Sequence, residues 1–534
     1  GDYVWSGVNI GEALAVVMTP DTWSLVVMAF AELNVVPGHA SAGNIGGRAY
    51  QNVTVMDSMM RVLRQGNEDL LREMGGVREE YLETMGQYIV PLPEATVWTV
   101  LPGAVRVLRK RRAALKDLEG FLAENPVWCQ TSRQRIQAMK TAEQLAGFAG
   151  ELTDRCLDTF WRTVATAWVY AEQNGRLRRQ LKELVGADDA DLLLSNVSRQ
   201  GQLLSSLGPL VGLARVARGE MSREDYLAQW GHRGPQETEA STPRPAEDPD
   251  WLEGQLAEFA RSPADPEALL ARRQAEGEDA WERLQQAHPR KARRLRRRLE
   301  LAAGAARSRE AVRSEFTRLV WVARAWALRV GELTGVGDGA LFLTLRELLQ
   351  LLAGKDGPVA TIPARQHTYE RYRALPPYPL IIRGRFDPFA WAADPDRRSD
   401  VYDAGGLLQQ IRLKPPRENL VLGMPGSAGR VEGTVRRLEG PQKGGELRAG
   451  EILVTSQTNI GWTLFFPRAA AVVTDVGAPL SHAAIVAREL GIPAVVNCGD
   501  ATMRLRTGDK VHVDGSQGVV EIVARGQPGG PPGS

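Results

Sequence analysis

The sequence predicts a multidomain protein in which a large, mainly α-helical domain is followed by a small α/β domain. With 534 residues, the chain is too long for one ordinary hydrophobic core, and its length indicates roughly two to four domains. Between about Val53 and Glu332, apolar residues recur at spacings of three and four, the period of an amphipathic helix. After Pro415 and Pro416 the pattern changes to short strand-like runs separated by glycines, which is typical of an α/β domain.

The helical domain is expected to occupy residues 1–413. Residues 1–50 have mixed character, with turn signals at their glycines. The polar stretch 231–250 interrupts the helices, and loops of that length are usually functional or disordered. The clearest helical segments are Met56–Leu70, Arg106–Leu122, Glu151–Ala171 and Glu310–Glu332.

The α/β domain is expected over residues 421–525. The preceding residues 414–420 include two prolines, so we expect a semi-rigid hinge linker there. Residues 526–534 are too rich in glycine and proline to order themselves, and we expect a disordered tail. The predicted strands are Arg430–Arg436, Glu451–Thr455, Ala470–Thr474, Pro493–Val496, Lys510–Val513 and Val519–Val523.

Composition excludes several classes of function. A formal net charge of +2 gives the whole chain no strong attraction to nucleic acid or to an acidic partner. Cys129, Cys156 and Cys498 have neither a metal-ligand spacing nor a disulfide pattern, so we expect a reducing compartment and no metal site. The first residues lack the pattern of a signal peptide, and polar residues interrupt the apolar stretch 13–36. We therefore expect a cytoplasmic protein that does not bind a membrane.

The chemistry is carried by residues 472–496, which read VVTDVGAPLSHAAIVARELGIPAVV. The pattern predicts a buried strand, a turn through Gly477, and a short helix that Ser481 caps and His482 begins. We expect His482 on an exposed turn, where backbone N–H groups and the helix dipole favour a phosphoryl group. A neutral imidazole nitrogen is also a competent nucleophile at physiological pH. The alternative is a histidine that merely begins a surface helix.

Residues 421–523 resemble the mobile phosphohistidine domain of the PEP-utilising enzymes, the family of PEP synthase, pyruvate phosphate dikinase and rifampicin phosphotransferase. The resemblance implies that His482 is the phosphorylated residue, and that Gly477, Ser481, Arg488 and Glu489 belong to the phosphohistidine loop. The matching segments are GMPGSAGRVEGTV, EILVTSQT, the GWT of residues 461–463, the stretch 472–496, and GDKVHVDGSQGVV.

Two positions depart from the pattern of this family. Leu480 stands where the dikinases often have a threonine, so a hydroxyl near the phosphoryl group is missing. Asn459 replaces an acidic residue found in relatives similar to rifampicin phosphotransferase. These changes do not alter the predicted carrier role of His482. They concern the contacts that the α/β domain would make when it docks.

Two segments of the helical part resemble the substrate-binding region of the rifampicin phosphotransferase group. They are VWSGVNIGEALAVVMTPDTWS at residues 4–24 and GHRGPQETE at residues 231–239. The resemblance implies a helical domain that offers a pocket to an acceptor. Trp5 and Trp23 are the candidate pocket residues, because buried aromatic rings provide large contact area.

The GHRGPQETE segment has the residue types of an acceptor site. Arg233 can clamp a phosphoryl oxygen bidentately, and His232 or Glu237 can take the proton of an acceptor hydroxyl. The alternative is that the arginine and the glutamate pair to hold the shape of the loop. Arg365 is a further candidate for substrate binding, against the alternative of a solvated helix face.

The donor half of the reaction is expected to lie elsewhere. Members of this family phosphorylate their histidine from ATP on an ATP-grasp domain, or from PEP on a barrel domain. The sequence has no glycine-rich phosphate loop followed by a lysine, and no room for a barrel of about 250 residues after the α/β domain. We therefore expect an ATP-grasp domain, removed or in a separate subunit, to hold ATP and Mg²⁺, and no cofactor on this chain.

The sequence thus predicts a phosphotransferase with a phosphohistidine intermediate, which delivers the phosphoryl group to a small-molecule acceptor, expected to be a hydroxyl. Two alternatives remain open: an ATP-dependent ligase or dehydratase with a phosphorylated intermediate, and a non-catalytic phosphocarrier or binding subunit. The basic run at residues 288–299 favours a solvated or ion-paired helix over nucleic-acid binding, because it is short and lacks interleaved aromatics.

Overall fold

The helical and the α/β parts of the chain are both present in the computed structural model. It describes residues 3–8, 10, 14, 16–63, 89–195, 203–261, 265–406, 417–479 and 481–526. The N-terminal two-thirds are mainly helical and the C-terminal region contains a sheet, so the predicted fold class is confirmed. Residues 414–416 of the expected hinge and nearly all of the expected tail lie outside the described residues.

Two long helices dominate the helical part. They are α5 (Ala142–Leu194) and α10 (Pro289–Thr334), with 53 and 46 residues. They pack along each other around Leu152, Leu319 and Trp326. The described helices of this part are α1 (Pro20–Ala31), α2 (Val53–Val62), α3 (Val97–Ala114), α4 (Leu118–Ala138), α5 (Ala142–Leu194), α6 (Gly208–Ala217), α7 (Arg223–Trp230), α8 (Trp251–Ala260), α9 (Pro266–Ala287), α10 (Pro289–Thr334), α11 (Leu345–Leu352), α12 (Ile362–Arg373) and α13 (Pro388–Ala393).

Two backbone positions interrupt the helical pattern. The predicted helix Arg106–Leu122 is wrong as one element, because Asp117 adopts a left-handed φ of 49° and separates α3 from α4. Gly186, with φ 80° and ψ 176°, divides α5 into a long first part and a short last part. The predicted segment Met56–Leu70 falls on α2, and its residues beyond Leu63 lie outside the described part of the chain.

A five-stranded sheet also belongs to the helical part, which the sequence analysis did not predict. Its order is β2–β3–β1–β4–β5, so strands from the start of the chain pair with strands close to residue 400. β1 pairs antiparallel with both β3 and β4, while β4 and β5 are parallel. The strands are β1 (Val4–Ser6), β2 (Ala42–Ile45), β3 (Arg48–Asn52), β4 (Ile381–Arg383) and β5 (Val401–Asp403).

The C-terminal domain contains an eight-stranded sheet of order β6–β13–β12–β8–β9–β10–β11–β7. Its six predicted strands are all found, and two short ones precede them. Strands β8 to β11 run parallel, and β9, β10 and β11 are buried along their whole length, as their apolar sequences require. The strands are β6 (Leu420–Leu422), β7 (Met424–Ser427), β8 (Arg430–Arg437), β9 (Ile452–Thr455), β10 (Ala471–Thr474), β11 (Ala494–Val496), β12 (Lys510–Asp514) and β13 (Val519–Ala524), with helices α14 (His482–Leu490) and α15 (Ala501–Arg504).

The C-terminal domain packs on α9 and its neighbours. One apolar cluster runs from Leu210, Leu213 and Leu270 of the helical part to Phe465 and Leu490 of the C-terminal domain. Burial of such apolar surface favours the packed arrangement. The buried ion pair between Arg468 and Glu258, at 2.7 Å, joins the two parts in the same region.

The stretch 231–250 is ordered rather than a loose loop. His232, Arg233 and Glu239 are buried in it, and it contains a short 3₁₀ helix at Pro245–Glu247. The reason is that its polar groups bond to α1 and α10, so the stretch is a packed connection between helices. In the ranges described above, no helix is both long and apolar enough to cross a membrane.

Candidate active site

His482 is the first residue of α14, as the sequence predicted. Ser481 has an extended backbone and its hydroxyl accepts a hydrogen bond from the Ala484 amide at 3.2 Å, which caps the helix. Gly477 forms the preceding turn with a φ of 142°, a conformation that favours glycine. The helix ends at Gly491 in the left-handed conformation.

The side chain of His482 is buried, with 3% exposure, so the expected exposed turn is wrong. The helical part of the chain covers it, and Ile485, one turn further along α14, packs with Tyr170 of α5 and Ala305 of α10. A local sequence pattern places the histidine at the end of a helix, but it contains no information about this covering surface.

His482 has two polar partners in the segment 459–463. Its Nε2 lies 3.2 Å from the hydroxyl of Thr463, and the ring also bonds to the backbone of Asn459. This backbone bond raises the pKa of His482, as a hydrogen bond donated by the ring does. Thr463 thereby supplies a hydroxyl at the histidine, although Leu480, which is outside the described residues, lacks one.

Three arginines of the helical part face His482. Burial is the largest cause that lowers the pKa of His482 well below its ordinary value, followed by Arg313, Arg233 and Arg309. The imidazole is therefore neutral at physiological pH. Arg309 and Arg313 were not singled out from the sequence, and the available signal was their spacing of four residues, which places both on one face of α10.

Arg233 is held by Glu237 through two hydrogen bonds. Its Nε donates to Oε2 at 2.7 Å and its Nη2 donates to Oε1 at 3.2 Å. The predicted bidentate clamp on a phosphoryl group is therefore wrong for this arrangement, because the glutamate occupies that edge of the guanidinium. Among the described residues, Nη1 of Arg233 is buried without a hydrogen-bond partner.

His232 is fully buried beside Arg233. Its Nε2 lies 2.9 Å from the hydroxyl of Ser314 on α10, and Nδ1 has no partner within the described ranges. Burial lowers the pKa of His232 well below its ordinary value, and Arg318 and Arg233 lower it further. This histidine is consequently neutral and keeps one nitrogen able to accept a proton.

The segment 231–239 meets the segment 459–463, which contacts His482, at Pro235 and Gly461. A Cβ added to Gly461 would lie 2.9 Å from Cγ of Pro235, so this close approach requires glycine. Gly461 lies in the same 3₁₀ helix as Thr463, at Ile460–Arg468. The structure therefore brings together His482, Thr463 and Arg233, which lie in two separate segments of the chain.

Arg488 and Glu489 lie where α14 meets the helical part. Arg488 is 3% exposed, and its Nη2 donates to the carbonyls of Gly426 and Pro479, at 2.6 and 3.0 Å. Glu489 accepts a hydrogen bond from the hydroxyl of Ser195 at 3.2 Å. Arg488 therefore holds the turn before His482, and Glu489 contacts the helical part.

The three predicted substrate-binding residues lie elsewhere in the helical part. Trp5 is in β1 and its ring lies 5.7 Å from that of Tyr3, while Trp23 packs in the apolar cluster of α1. Arg365 bonds to both carboxylate oxygens of Glu347, at 2.7 and 2.8 Å, so it is neither a solvated nor an open side chain. Their role in acceptor binding stays a prediction. In the described part of the chain, no group of His, Cys, Asp or Glu side chains could hold a metal ion.

Comparison with known proteins supports the assignment made from residues and geometry. The PEP-utilising enzyme mobile domain matches residues 447–518, which include His482, and the rifampicin phosphotransferase fourth domain matches residues 130–310. Residues 447–518 are thus similar to the mobile domain of the PEP-utilising enzymes. The predicted relationship of the chain to the PEP-utilising enzymes and rifampicin phosphotransferase is confirmed.

Three relatives illustrate the relationship. An uncharacterized protein of Mycobacterium tuberculosis is 33% identical over 315 residues, which cover 57% of this chain and 32% of that protein. The prodigiosin synthesizing transferase of Serratia marcescens is 30% identical over 316 residues, covering 57% and 33%. The rifampicin phosphotransferase of Streptomyces sviceus is 31% identical over 187 residues, covering 35% and 19%. The matched part of the chain spans about a third of the length of the first two relatives.

Proposed function

We propose that this chain is the carrier and acceptor part of a phosphotransferase. His482 receives a phosphoryl group from a donor and passes it to a hydroxyl of a small molecule bound by the helical domain. One observation carries the proposal: a neutral, buried histidine at a helix N-terminus faces Arg233, Arg309 and Arg313 from the other domain.

In the loading step, Nε2 of His482 acts as the nucleophile. We assign the hydrogen bond between the ring and the Asn459 backbone to a proton on Nδ1, which leaves the lone pair on Nε2. The lone pair attacks the terminal phosphorus of ATP, the bond to the ADP oxygen breaks, and ADP leaves. ATP and Mg²⁺ belong to an ATP-grasp domain or subunit, which we propose as the partner of this chain.

In the transfer step, an acceptor hydroxyl attacks the phosphorus and the P–N bond to His482 breaks. A phosphoryl group carries about −1.5 to −2 charges at neutral pH, which the arginines on α10 and Nη1 of Arg233 stabilise. His232 is the proposed general base, because its Nδ1 is unpaired within the described ranges. We assign Glu237 the role of orienting Arg233, since both of its carboxylate oxygens accept hydrogen bonds from that guanidinium.

The two steps require two positions of the C-terminal domain. His482 is covered by the helical part here, so a donor active site reaches it only after the domain moves away. We propose that this motion occurs about residues 414–420. The arrangement described above corresponds to the position for transfer to the acceptor.

A second candidate is a synthetic enzyme in which the phosphorylated acceptor is an intermediate that reacts onward. The observation in its favour is the similarity to a transferase named for the synthesis of prodigiosin rather than for phosphoryl transfer. The two candidates differ in the product: a stable phosphate ester for the first, and inorganic phosphate with a new bond for the second. Phosphohistidine without any consumed acceptor would instead indicate a carrier subunit.

The test is an intact-mass spectrum of the chain after incubation with ATP, Mg²⁺ and an ATP-grasp protein encoded beside it. We expect an acid-labile phosphoryl adduct on the native chain and none on His482→Ala. His232→Ala serves as the matched histidine variant and should still be loaded, because it belongs to the acceptor side. No adduct with a donor shown to be active would overturn the proposal.

A further inference from the structure

Arg488 connects two features that are otherwise separate. Its Nε donates to Oδ1 of Asp191, at the end of α5, with a distance of 2.9 Å. Its Nη2 donates to the backbone carbonyls of Gly426 and Pro479 in the C-terminal domain. One buried guanidinium therefore holds both the docking partner of the domain and the turn that leads into His482.

Asp191 is the centre of this docking contact. Its Oδ2 accepts a hydrogen bond from the Ala428 amide at 2.8 Å, and Arg178 of α5 lies 3.6 Å from its Oδ1. On the other side, Arg273 of α9 donates to the carbonyl of Arg488 at 2.9 Å. Burial raises the pKa of Asp191, but Arg488, Arg178 and Arg273 outweigh it, so the pKa lies below its ordinary value and the group is a carboxylate.

We propose that Arg488 is a positioning residue, which couples the docking of the C-terminal domain on Asp191 to the shape of the turn at residues 477–479, ahead of His482. A guanidinium is planar, and its donors have a fixed fork geometry. When Asp191 engages Nε, the plane of the group is set, and Nη2 is directed at Pro479 and Gly426. When the domain leaves Asp191, that constraint is lost and the turn before His482 loosens.

The coupling has a consequence that rests on the proposed function. The geometry of His482 for transfer would be enforced only while the domain is docked against the acceptor side. Away from it, the turn is free to adapt to a different active site on the donor. The coupling itself concerns only the described residues and can be measured without any activity.

The experiment is amide hydrogen exchange on the full chain. The reporter of the turn is the Ser481 amide, which donates to the Ala478 carbonyl at 2.8 Å, together with the Ala484 amide capped by Ser481. The reporter of docking is the Ala428 amide on Asp191. The variants are Asp191→Asn, Arg488→Lys, and Glu258→Gln as a matched control, since Glu258 forms the other docking ion pair with Arg468.

We expect Asp191→Asn to accelerate exchange at both reporters by about tenfold or more, the change that corresponds to losing a hydrogen bond to a charged group. Arg488→Lys should keep the charge beside Asp191 and still accelerate exchange at the turn, because an ammonium cannot span the three acceptors. Glu258→Gln should loosen its own contact and leave the turn within about twofold of the native rate, a difference too small to count as the loss of such a bond.

The proposal is overturned if Asp191→Asn releases the Ala428 amide while the turn keeps its native exchange rate. It is equally overturned if Glu258→Gln loosens the turn as much as Asp191→Asn does while the Ala428 amide keeps its native exchange rate, since the turn would then respond without any change at Asp191. If a thermal melt shows that Asp191→Asn does not fold, the test rests on Arg488→Lys. A native exchange rate of the turn amides in Arg488→Lys would then contradict the coupling. Loading of His482 is measured separately, so an absent adduct would count against the proposed function and not against the coupling.

Discussion

At His482, burial and hydrogen bonding set the charge of the imidazole before any phosphoryl group arrives. The pKa of this residue in the folded state lies well below the value of about 6.5 for an unfolded chain. The unfolded state therefore binds this proton more readily than the folded state. As a result, the contribution of this site to the free energy of unfolding falls as the pH drops below about 6.5, the pKa of histidine in the unfolded chain. The same neutral ring is the form that can attack phosphorus.

Thr463 can be tested by a pair of substitutions. Thr463→Val removes the hydroxyl that lies 3.2 Å from Nε2, while Thr463→Ser keeps it. A hydrogen bond to a charged group contributes about 1.5–3 kcal/mol, so we expect Thr463→Val to slow the single-turnover decay of phosphohistidine onto acceptor by roughly tenfold to hundredfold. Thr463→Ser should stay near the native rate. Equal rates for Thr463→Val and the native chain would show that the hydroxyl has no part in transfer.

The contribution of Arg313 to the pKa of His482 can be tested by substitution. Arg313→Gln removes the arginine that contributes most to lowering this pKa, so the pKa should rise toward its ordinary value. The measurement is an NMR titration of the imidazole of His482. Arg297→Gln is the matched control, because Arg297 is an exposed arginine of the same helix, and it should leave the titration unchanged. An unchanged pKa in Arg313→Gln would remove Arg313 from the site.

The sequence defines His482 well and its surroundings poorly, for a physical reason. The turn, the cap at Ser481 and the helix start are local, and each has a residue preference that can be recognised in the sequence. Arg309 and Arg313 come from α10, Arg233 comes from the segment 231–239, and α5 and α10 cover α14 at Ile485, so all of these depend on tertiary packing. The pairing of Arg233 with Glu237 was foreseen only as an alternative, because four-residue spacing fits both an ion pair and a site.

At the scale of elements, six of the eight described strands of the C-terminal domain could be predicted to within two residues. The apolar runs of β9, β10 and β11 are buried on both faces, which leaves little freedom in their limits. The five-stranded sheet of the helical part could not be predicted as a whole. Its strands have only three to five residues, and β1 pairs with β4 from the other end of the helical part, so no short stretch contains the complete sheet. The hairpin of β2 and β3 around Gly46 and Gly47 is local, and only its glycines were recognised as turn signals.

Asp475 links the strand β10 to the helix α15. Its carboxyl bonds to the amide and the hydroxyl of Thr502, and burial raises the pKa of Asp475 to about 7. Because the folded state binds this proton more tightly than the unfolded chain, stability from this group falls as the pH rises from about 4 to about 7.

We expect Asp475→Asn to remove this dependence. The free energy of unfolding of the variant, relative to the native chain, should increase by roughly 2 kcal/mol between pH 5 and pH 7. The measurement is denaturant unfolding at several pH values. Asp396→Asn, at an exposed position, should show a difference that does not change with pH. A flat difference for Asp475→Asn would mean that the carboxyl is already ionised at pH 5.

At the scale of the whole molecule, docking of the C-terminal domain combines apolar packing with a few buried polar contacts. Leu210, Leu213 and Leu270 share a cluster with Phe465 and Leu490, so separation of the parts exposes apolar surface to water. The docked position is therefore favoured in the absence of a donor. In the proposed loading step, the donor would therefore supply an alternative surface for the domain.

The ion pair between Glu258 and Arg468 tests this balance. Glu258→Arg places two like charges together where the native atoms lie 2.7 Å apart, and this should weaken docking. We expect transfer to acceptor to fall by about tenfold or more while loading from the donor is not slowed. The double variant Glu258→Arg with Arg468→Glu should restore transfer, as in a double-mutant cycle. A single variant with native transfer would show that docking does not limit the reaction.

Gly186 divides α5 between the rigid packing of the helical part and the contacts with the C-terminal domain. Space around it is open, since a Cβ there would meet no atom within 4 Å, and only its backbone angle of φ 80° requires glycine. Beyond it, Asp188, Asp191 and Ser195 bond to Ser516, Arg488 and Glu489. Replacement by alanine would favour a straight helix and would redirect all three contacts at once. In the proposed function, the backbone angle at this one residue sets where the C-terminal domain stops on the helical part. Changing it would give evolution or protein engineering a way to retune the carrier without altering any reacting group.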